Sequence, residues 1–271
     1  MRNKVISCVI CVLVFVTILV IEVPKDVSAQ VKEEWVARYD GPTNKIDSAM
    51  AIAVDLIGNV YITGSTDWTL YNFSTGDIAT IKYDPSGNEL WMARYDGPAH
   101  SEDRASAITL DSIGNVYVTG SSRESLDHPR NDYVTIKYSS LGNELWVARY
   151  NGTGYFDDSD DQALAIAVDL QGNVYITGKS REYHNDFATI KYDSSGNELW
   201  VARYNSPGNH NDVANEIALD SMGNVYVTGF SDSEDSDYDY MTIAYDTDGN
   251  KLWMAKYDGP VNGKDVSNAI A

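Results

Sequence analysis

Trp146-Val147-Ala148-Arg149-Tyr150 is one of five copies of the pattern Trp-(Val/Met)-Ala-(Arg/Lys)-Tyr. The copies begin at Trp35, Trp91, Trp146, Trp200 and Trp253, at intervals of 56, 55, 54 and 53 residues. A period this long and this regular marks an array of equivalent supersecondary units. Working outward from Trp146, the unit divides into four short runs: Ala105-Ser-Ala-Ile-Thr-Leu-Asp111, Asn115-Val-Tyr-Val-Thr-Gly120, Asp132-Tyr-Val-Thr-Ile-Lys-Tyr138 and Glu144-Leu-Trp-Val-Ala-Arg-Tyr150. Each is short, alternating and rich in Val, Ile, Thr, Tyr and Trp, which predicts strands. After the first 29 residues no stretch holds a helical period.

The joints between runs predict antiparallel pairing. Runs one and two meet at Asp55-Leu-Ile-Gly-Asn59, Asp111-Ser-Ile-Gly-Asn115, Asp169-Leu-Gln-Gly-Asn173 and Asp220-Ser-Met-Gly-Asn224. Runs three and four meet at Asp84-Pro-Ser-Gly-Asn88, Ser139-Ser-Leu-Gly-Asn143, Asp193-Ser-Ser-Gly-Asn197 and Asp246-Thr-Asp-Gly-Asn250. The first residue can accept a turn hydrogen bond, and Gly supplies the left-handed residue that closes a type I turn with a bulge. Four antiparallel strands per unit, in series, predict an all-β fold: a β-propeller of four-stranded blades. The alanines of run one (Ala51, Ala53, Ala165, Ala167) suit a crowded inner strand, and the bulky Trp and Tyr of run four suit the outer edge. The blades then span about 47–97, 103–152, 161–206 and 212–259, with an incomplete fifth at 265–271 and a closing outer strand at 34–40.

Gly-Asn-Val-Tyr-(Ile/Val)-Thr-Gly, Thr-Ile-Lys-Tyr-Asp and Gly-Asn-Glu-Leu-Trp resemble the SBBP-type β-propeller repeat family, over about residues 34–271. The resemblance implies an exported or surface protein and a seven-bladed ring. It brings no catalytic residues with it. Four whole blades, a leading outer strand and a trailing inner strand are the expectation for a fragment of a longer reading frame, with a five-bladed ring ending in a stub as the alternative.

Residues 1–29 read as a signal peptide. Arg2 and Lys4 precede an apolar run over residues 5–21, and Val27-Ser28-Ala29 offers small residues at a cleavage site before Gln30. At 17 residues the run is at the short limit for a span, so an uncleaved anchor is the alternative. Cys8 and Cys11 both lie inside it, leaving a mature chain without disulfides. Localisation is expected to be extracellular, periplasmic or at the cell surface. A net charge of −20, from 40 acidic and 20 basic residues, argues against nucleic acid as a partner and against anionic lipid. No membrane contact is expected beyond the signal segment.

Strand direction places the short, uniform turns on one face. The other face carries the long, dissimilar connections, 65–76, 121–131, 179–185, 230–237 and 151–160, where recognition is expected. Trp68, Tyr71 and Phe73 sit in the first of these, either gripping a glycan or peptide or folding back over the blade. Asp157, Asp158 and Asp160 in one loop, and Asp235 and Asp237 in another, could present oxygens to Ca²⁺, though neither loop has a complete calcium-binding pattern. Recurring Asp (Asp47, Asp103, Asp161, Asp212, Asp265 and Asp77, Asp132, Asp186, Asp239) point to structural bonds to neighbouring loop backbone, because a catalytic site would not repeat in every blade. Lys82, Lys137 and Lys191 and the Trp set read the same way, as packing. His100, His128, His184 and His210 fall in four separate loops, too scattered for one metal site. No nucleophile triad, phosphate loop or metal-hydrolase motif is present. The expected function is a non-catalytic binding scaffold for a protein or glycan, without a committed cofactor. The alternative is a propeller enzyme, quinone-dependent or polysaccharide-active.

Overall fold

The computed structural model describes residues 33–41, 45–68, 76–127, 130–152, 160–232, 238–260 and 263–270. Chain contacts separate residues 1–36 from residues 37–271, and the second group forms the body described below. Its described residues form sixteen strands in four sheets: β1 (Ile46–Val54), β2 (Val60–Trp68), β3 (Ile78–Tyr83), β4 (Glu89–Tyr95); β5 (Asp103–Leu110), β6 (Val116–Arg123), β7 (Asn131–Tyr138), β8 (Glu144–Tyr150); β9 (Gln162–Val168), β10 (Val174–Arg181), β11 (Asn185–Tyr192), β12 (Glu198–Tyr204); β13 (Asp212–Leu219), β14 (Val225–Asp232), β15 (Tyr238–Tyr245), β16 (Lys251–Tyr257). Every sheet runs in chain order and pairs antiparallel throughout. Among the described residues no helix is long and apolar enough to cross a membrane.

The turns close as their residues predict. Asp55 N donates to Asn59 O at 3.0 Å and Gly58 N to Asp55 O at 3.0 Å, with Gly58 at φ 87°. The Asp55 carboxylate accepts from the backbone of Ile57 and Asn59, the Asn59 amide and the Tyr61 hydroxyl. The same set recurs at Asp111, Asp169 and Asp220.

Successive sheets stack face to face. β1 packs on β5, β5 on β9 and β9 on β13, so the first strands form an inner row. Buried alanines there (Ala105, Ala163, Ala165, Ala214) permit this close approach. Between the first and second sheets, Tyr61, Ile78, Tyr95 and Trp91 press on Val116, Val118, Val134 and Ile136. The next two junctions repeat the arrangement.

At each junction a Trp of the fourth strand lies on the left-handed Gly of the following sheet. Trp146 Nε1 donates to Ser194 O at 3.2 Å, and Lys137 Nζ donates to the same oxygen at 3.0 Å. A Cβ on Gly196 would come within 2.8 Å of the Trp146 ring. Trp91 does this on Gly142 and Trp200 on Gly249. The Trp and Lys are therefore joints between sheets. Trp146→Phe is expected to cost about 1 kcal/mol, the worth of one hydrogen bond, because Lys137 still satisfies Ser194 O. Trp146→Ala is expected to cost about 2 kcal/mol, less than for a fully buried aromatic. Urea unfolding of both variants checks the difference.

Three expectations need adjustment. The second strands run past the loop boundary expected at residue 121, through Arg123, because Ser122 and Arg123 pair with Asp132 and Asn131. Residues 33–41 adopt no strand, although an outer strand was expected at 34–40. Residues 263–270 likewise adopt no strand where an inner strand was expected. In the described sheets neither segment appears as a hydrogen-bonded neighbour, which is what a strand needs. Both are nonetheless tied to the body: Gly41 N donates to Asp47 Oδ2 at 2.7 Å, and Asp265 N to Tyr238 O at 2.6 Å.

Candidate functional site

The face bearing the long connections is built on two recurring carboxylates. The Asp at the start of the first strand accepts the backbone N–H of the incoming segment: Asp103 from Gly97 at 2.6 Å, Asp161 from Gly152 at 2.7 Å, Asp212 from Ser206 at 2.7 Å; Asp265, at the matching position outside any strand, accepts from Gly259 at 2.7 Å. These are the structural bonds that their recurrence predicts.

The Asp of the third strand does otherwise. Asp132 Oδ2 accepts from Arg149 Nη2 at 2.9 Å, and Asp186 Oδ2 from Arg203 Nη2 at 2.9 Å. In the fourth sheet Lys256 takes the Arg place, 2.5 Å from Asp239. The backbone bond expected for this Asp set is thus replaced by an ion pair across two strands. The guanidinium also bonds within its own sheet and to the preceding one: Arg149 donates to Ser122 Oγ of β6 at 2.7 Å and to the Tyr95 hydroxyl of the first sheet at 3.2 Å, and Arg203 to Ser180 Oγ of β10 at 2.7 Å and the Tyr150 hydroxyl of the second sheet at 3.0 Å. The sequence shows the Arg, or Lys in the last copy, in every pentad but not its reach.

The first sheet departs from this scheme. Asp67 stands where the second and third sheets have Arg123 and Arg181. It is buried, holds φ 58°, and donates its N–H to Asp47 Oδ1 at 3.0 Å. Arg94 is held between Asp67, at 2.7 Å, and Asp77. Beside this clamp, carboxylate oxygens of Asp77, Asp96 and Asp103 lie within 4.8 Å of one another, the one such group among the described residues. Asp96 is matched by Asn151 and Asn205 at the next two junctions and by Asp40 and Asp258 after the first and last pentads. Burial pushes Asp103 up to about 6 and also raises Asp77. His100 Nδ1 sits 2.7 Å from Asp96 Oδ2, and that bond raises the imidazole. Arg94 faces Asp67 and Asp77, His100 faces Asp96, and burial favours the protonated form of Asp103.

Of the residues singled out from sequence, Tyr71, Phe73, Asp157, Asp158, Asp235, Asp237 and His128 lie outside the described residues. Trp68 ends β2, opposite Ile46. Asp160 is exposed and accepts from Asn131 Nδ2 at 3.1 Å. His184 lies at the β10–β11 turn, where its carbonyl accepts from Glu182 N at 3.2 Å. His210 immediately precedes the β13 region.

A pair that the sequence reading passed over lies in the fourth sheet. The Phe230 and Tyr238 rings are 4.5 Å apart at 31°, and Lys264 Nζ is 4.5 Å above Tyr238. Its signal is Phe230 at a position held by Ser65, Ser121 and Lys179 elsewhere. Two cavities lie against the first sheet and the inner strands. One, about 230 Å³, is bounded by Ala37 and Tyr39 on one side and by Ile62, Ala79 and Ile81 of the first sheet on the other. The second, about 220 Å³, lies among the first strands, between Met50, Arg104, Ser106 and Gln162.

No family model matches the sequence. An uncharacterized WD repeat-containing protein of Acanthamoeba polyphaga mimivirus is 27% identical over 192 residues, covering 56% of this chain. The chain spans 13% of that relative's length. A protein of unknown function from Bacteroides caccae aligns at TM-score 0.47 and 12% identity, over 83% of this chain and 72% of the other. The GH43 endo-arabinanase from Bacillus licheniformis aligns at TM-score 0.41 and 13% identity, over 81% and 82%. The gluconolactonase XC5397 from Xanthomonas campestris aligns at 0.43 and 13%, over 75% and 60%. With scores this low, the fold description rests on strand pairing within this chain.

Proposed function

We propose that the chain is an exported β-propeller of the SBBP repeat type, acting as a non-catalytic binding scaffold for a protein or glycan on its long-loop face. The propeller reading is supported by four equivalent antiparallel sheets stacked through an inner row of first strands. Export is supported by the leader-like residues 1–29. One observation carries the binding reading: the recurring charged and aromatic side chains of the frame are spent on one another. First-strand Asp caps backbone, third-strand Asp pairs with Arg or Lys, and Trp91, Trp146 and Trp200 seal sheet junctions. The last point disfavours a quinone stacked on the repeated Trp. Individuality is left to residues that do not repeat, among them Trp68, His100, Phe230 and Tyr238.

Immobilised full-length chain, screened against oligosaccharide and peptide arrays, tests this. A specific ligand is expected, with Trp68→Ala or Phe230→Ala weakening it about tenfold or more and Leu141→Ser, on the opposite face, leaving it unchanged. Sugar release from a polysaccharide, or cofactor-dependent dye reduction, would replace the scaffold reading with an enzymatic one.

A further inference from the structure

The short-turn face carries a feature that its role as a mere closure leaves unexplained. The four turns joining first to second strands hold Leu56 and Ile57, Ile113, Leu170 and Met222 at their tips. These side chains are between 77% and 105% exposed. The turns do not need them, because the Asp carboxylate and the left-handed Gly make the closing bonds. The turns joining third to fourth strands, built on the same five-residue frame, have Pro85-Ser86, Ser140-Leu141, Ser194-Ser195 and Thr247-Asp248 at their tips, of which only Leu141 is a large aliphatic. Isolated exposed aliphatics are ordinary on a protein surface, but one at every inner turn is a pattern.

The sheet stacking brings these tips side by side, with grooves between them. One groove of about 460 Å³ lies between Leu56-Ile57 and the Asp111–Gly114 turn. Another of about 490 Å³ lies between Leu170-Gln171 and Ser221-Met222. Aliphatic tips thus border a groove at each end of the inner row. Acids flank them: Asp55, Asp111, Asp169 and Asp220 at the bases of the turns, and exposed Glu89, Glu144 and Glu198 at the starts of the fourth strands. Hydrogen bonds to the turn hold Asp220 below the usual carboxylate range, so it stays ionised. The face's cations are largely withdrawn, since the ammonium groups of Lys82, Lys137 and Lys191 donate to carbonyls of the next sheet.

We propose that the row of turn tips Leu56, Ile57, Ile113, Leu170 and Met222 is a docking surface for a cationic amphipathic peptide segment of a partner protein. The segment's apolar side chains enter the grooves and its Lys or Arg groups meet the flanking carboxylates. The charge argument selects this partner. Anionic membranes and nucleic acid would meet like charge, and so would the same face of a second copy in a chain of net charge −20. The surface is separate from the long-loop face, so either reading can fail without the other.

The test uses the full chain and two labelled Leu/Lys peptides of identical composition, one ordered as an amphipathic helix and one scrambled, at near-physiological salt. The amphipathic peptide is expected to bind about tenfold or more tighter than the scrambled one. The combined variant Leu56→Ser, Ile113→Ser, Leu170→Ser and Met222→Ser should lose that advantage while keeping the parental melting temperature. Phe230→Ala, on the other face, should bind the peptide as the parent does. Equal binding of the two peptides, or undiminished binding by the combined variant, overturns the proposal. Capture on zwitterionic phosphatidylcholine vesicles without peptide binding also overturns it, in favour of a lipid surface.

Discussion

Gly120→Ala is expected to cost about 4 kcal/mol, a large share of the roughly 5–15 kcal/mol that holds an ordinary domain together. A Cβ at Gly120 would lie 1.8 Å from the carbonyl oxygen of Arg104 and 3.0 Å from Ala105 Cα. Both are backbone atoms of the neighbouring inner strand, so no side chain can rotate aside. The crowding has a local cause: the β5–β6 register slips between Ala105 and Ala107, and the bulge drives the Arg104 carbonyl against β6. The same approach recurs at Gly64, Gly178 and Gly229, at 2.0, 2.1 and 2.0 Å. Two other glycines serve as internal controls. Gly114 has φ 84° but open space, with Ser140 Cβ at 3.5 Å, so Gly114→Ala should cost only the left-handed penalty of about 1–2 kcal/mol. Gly142 adds the Trp91 ring at 2.7 Å to φ 83°, and its Ala variant should fall between the two. Urea midpoints ranked Gly120→Ala below Gly142→Ala below Gly114→Ala would match this. Equal midpoints would show that the bulge yields and that backbone crowding does not fix the glycine.

The strands, their order and their turns were legible because each is written in local chemistry and repeated four times. Asp111-Ser-Ile-Gly-Asn115 specifies its own closure, and Val116-Tyr-Val-Thr119 its own alternation. Packing roles inferred from recurrence held at the three sheet junctions: Trp91, Trp146, Trp200 and the Lys set meet the next sheet, while Trp253 is half exposed, and the first-strand Asp meets the incoming backbone. What escaped was partner choice among groups distant in sequence. Asp132 was read toward a neighbouring loop, yet it pairs with Arg149, and Arg149 also reaches Tyr95 some fifty residues earlier. Nothing in the pentad distinguishes an outward Arg from one folded under the rim. The Asp77, Asp96 and Asp103 group was hidden likewise, because it draws on two separate connections and differs from the next two junctions by a single residue. The loops expected to carry function diverge from the repeat, so the periodicity that reveals the frame says little about them.

Arg149→Ala should cost about 3–5 kcal/mol at pH 7 because it strands a buried charge. Asp132 is 2% exposed and its Oδ1 has no hydrogen-bond partner, so Arg149 supplies the main compensation for Oδ2. Burial already pushes Asp132 up to about 6 against the Arg149 charge that holds it down. Removing the guanidinium must push it higher. The sign follows from proton binding. Between the unfolded carboxylate value near 4 and the raised folded value, the folded state binds more protons than the unfolded one, so stability falls as pH rises through that window. The parent protein should therefore unfold at a higher temperature near pH 5 than near pH 7, with Asp103, at about 6, contributing in the same direction. In Arg149→Ala this slope should steepen and extend above pH 6, and the penalty should shrink to about 1–2 kcal/mol at pH 5, where Asp132 takes up a proton. Adding Asp132→Asn removes the charge instead of neutralising it, so the double variant should be more stable at pH 7 than the single one and lose the steepened slope. Melting curves of the three proteins at pH 5 and pH 7 decide the matter. A penalty independent of pH, with no recovery in the double variant, would mean that Arg149 acts by packing between Tyr95 and Ser122 and not by balancing the Asp132 charge.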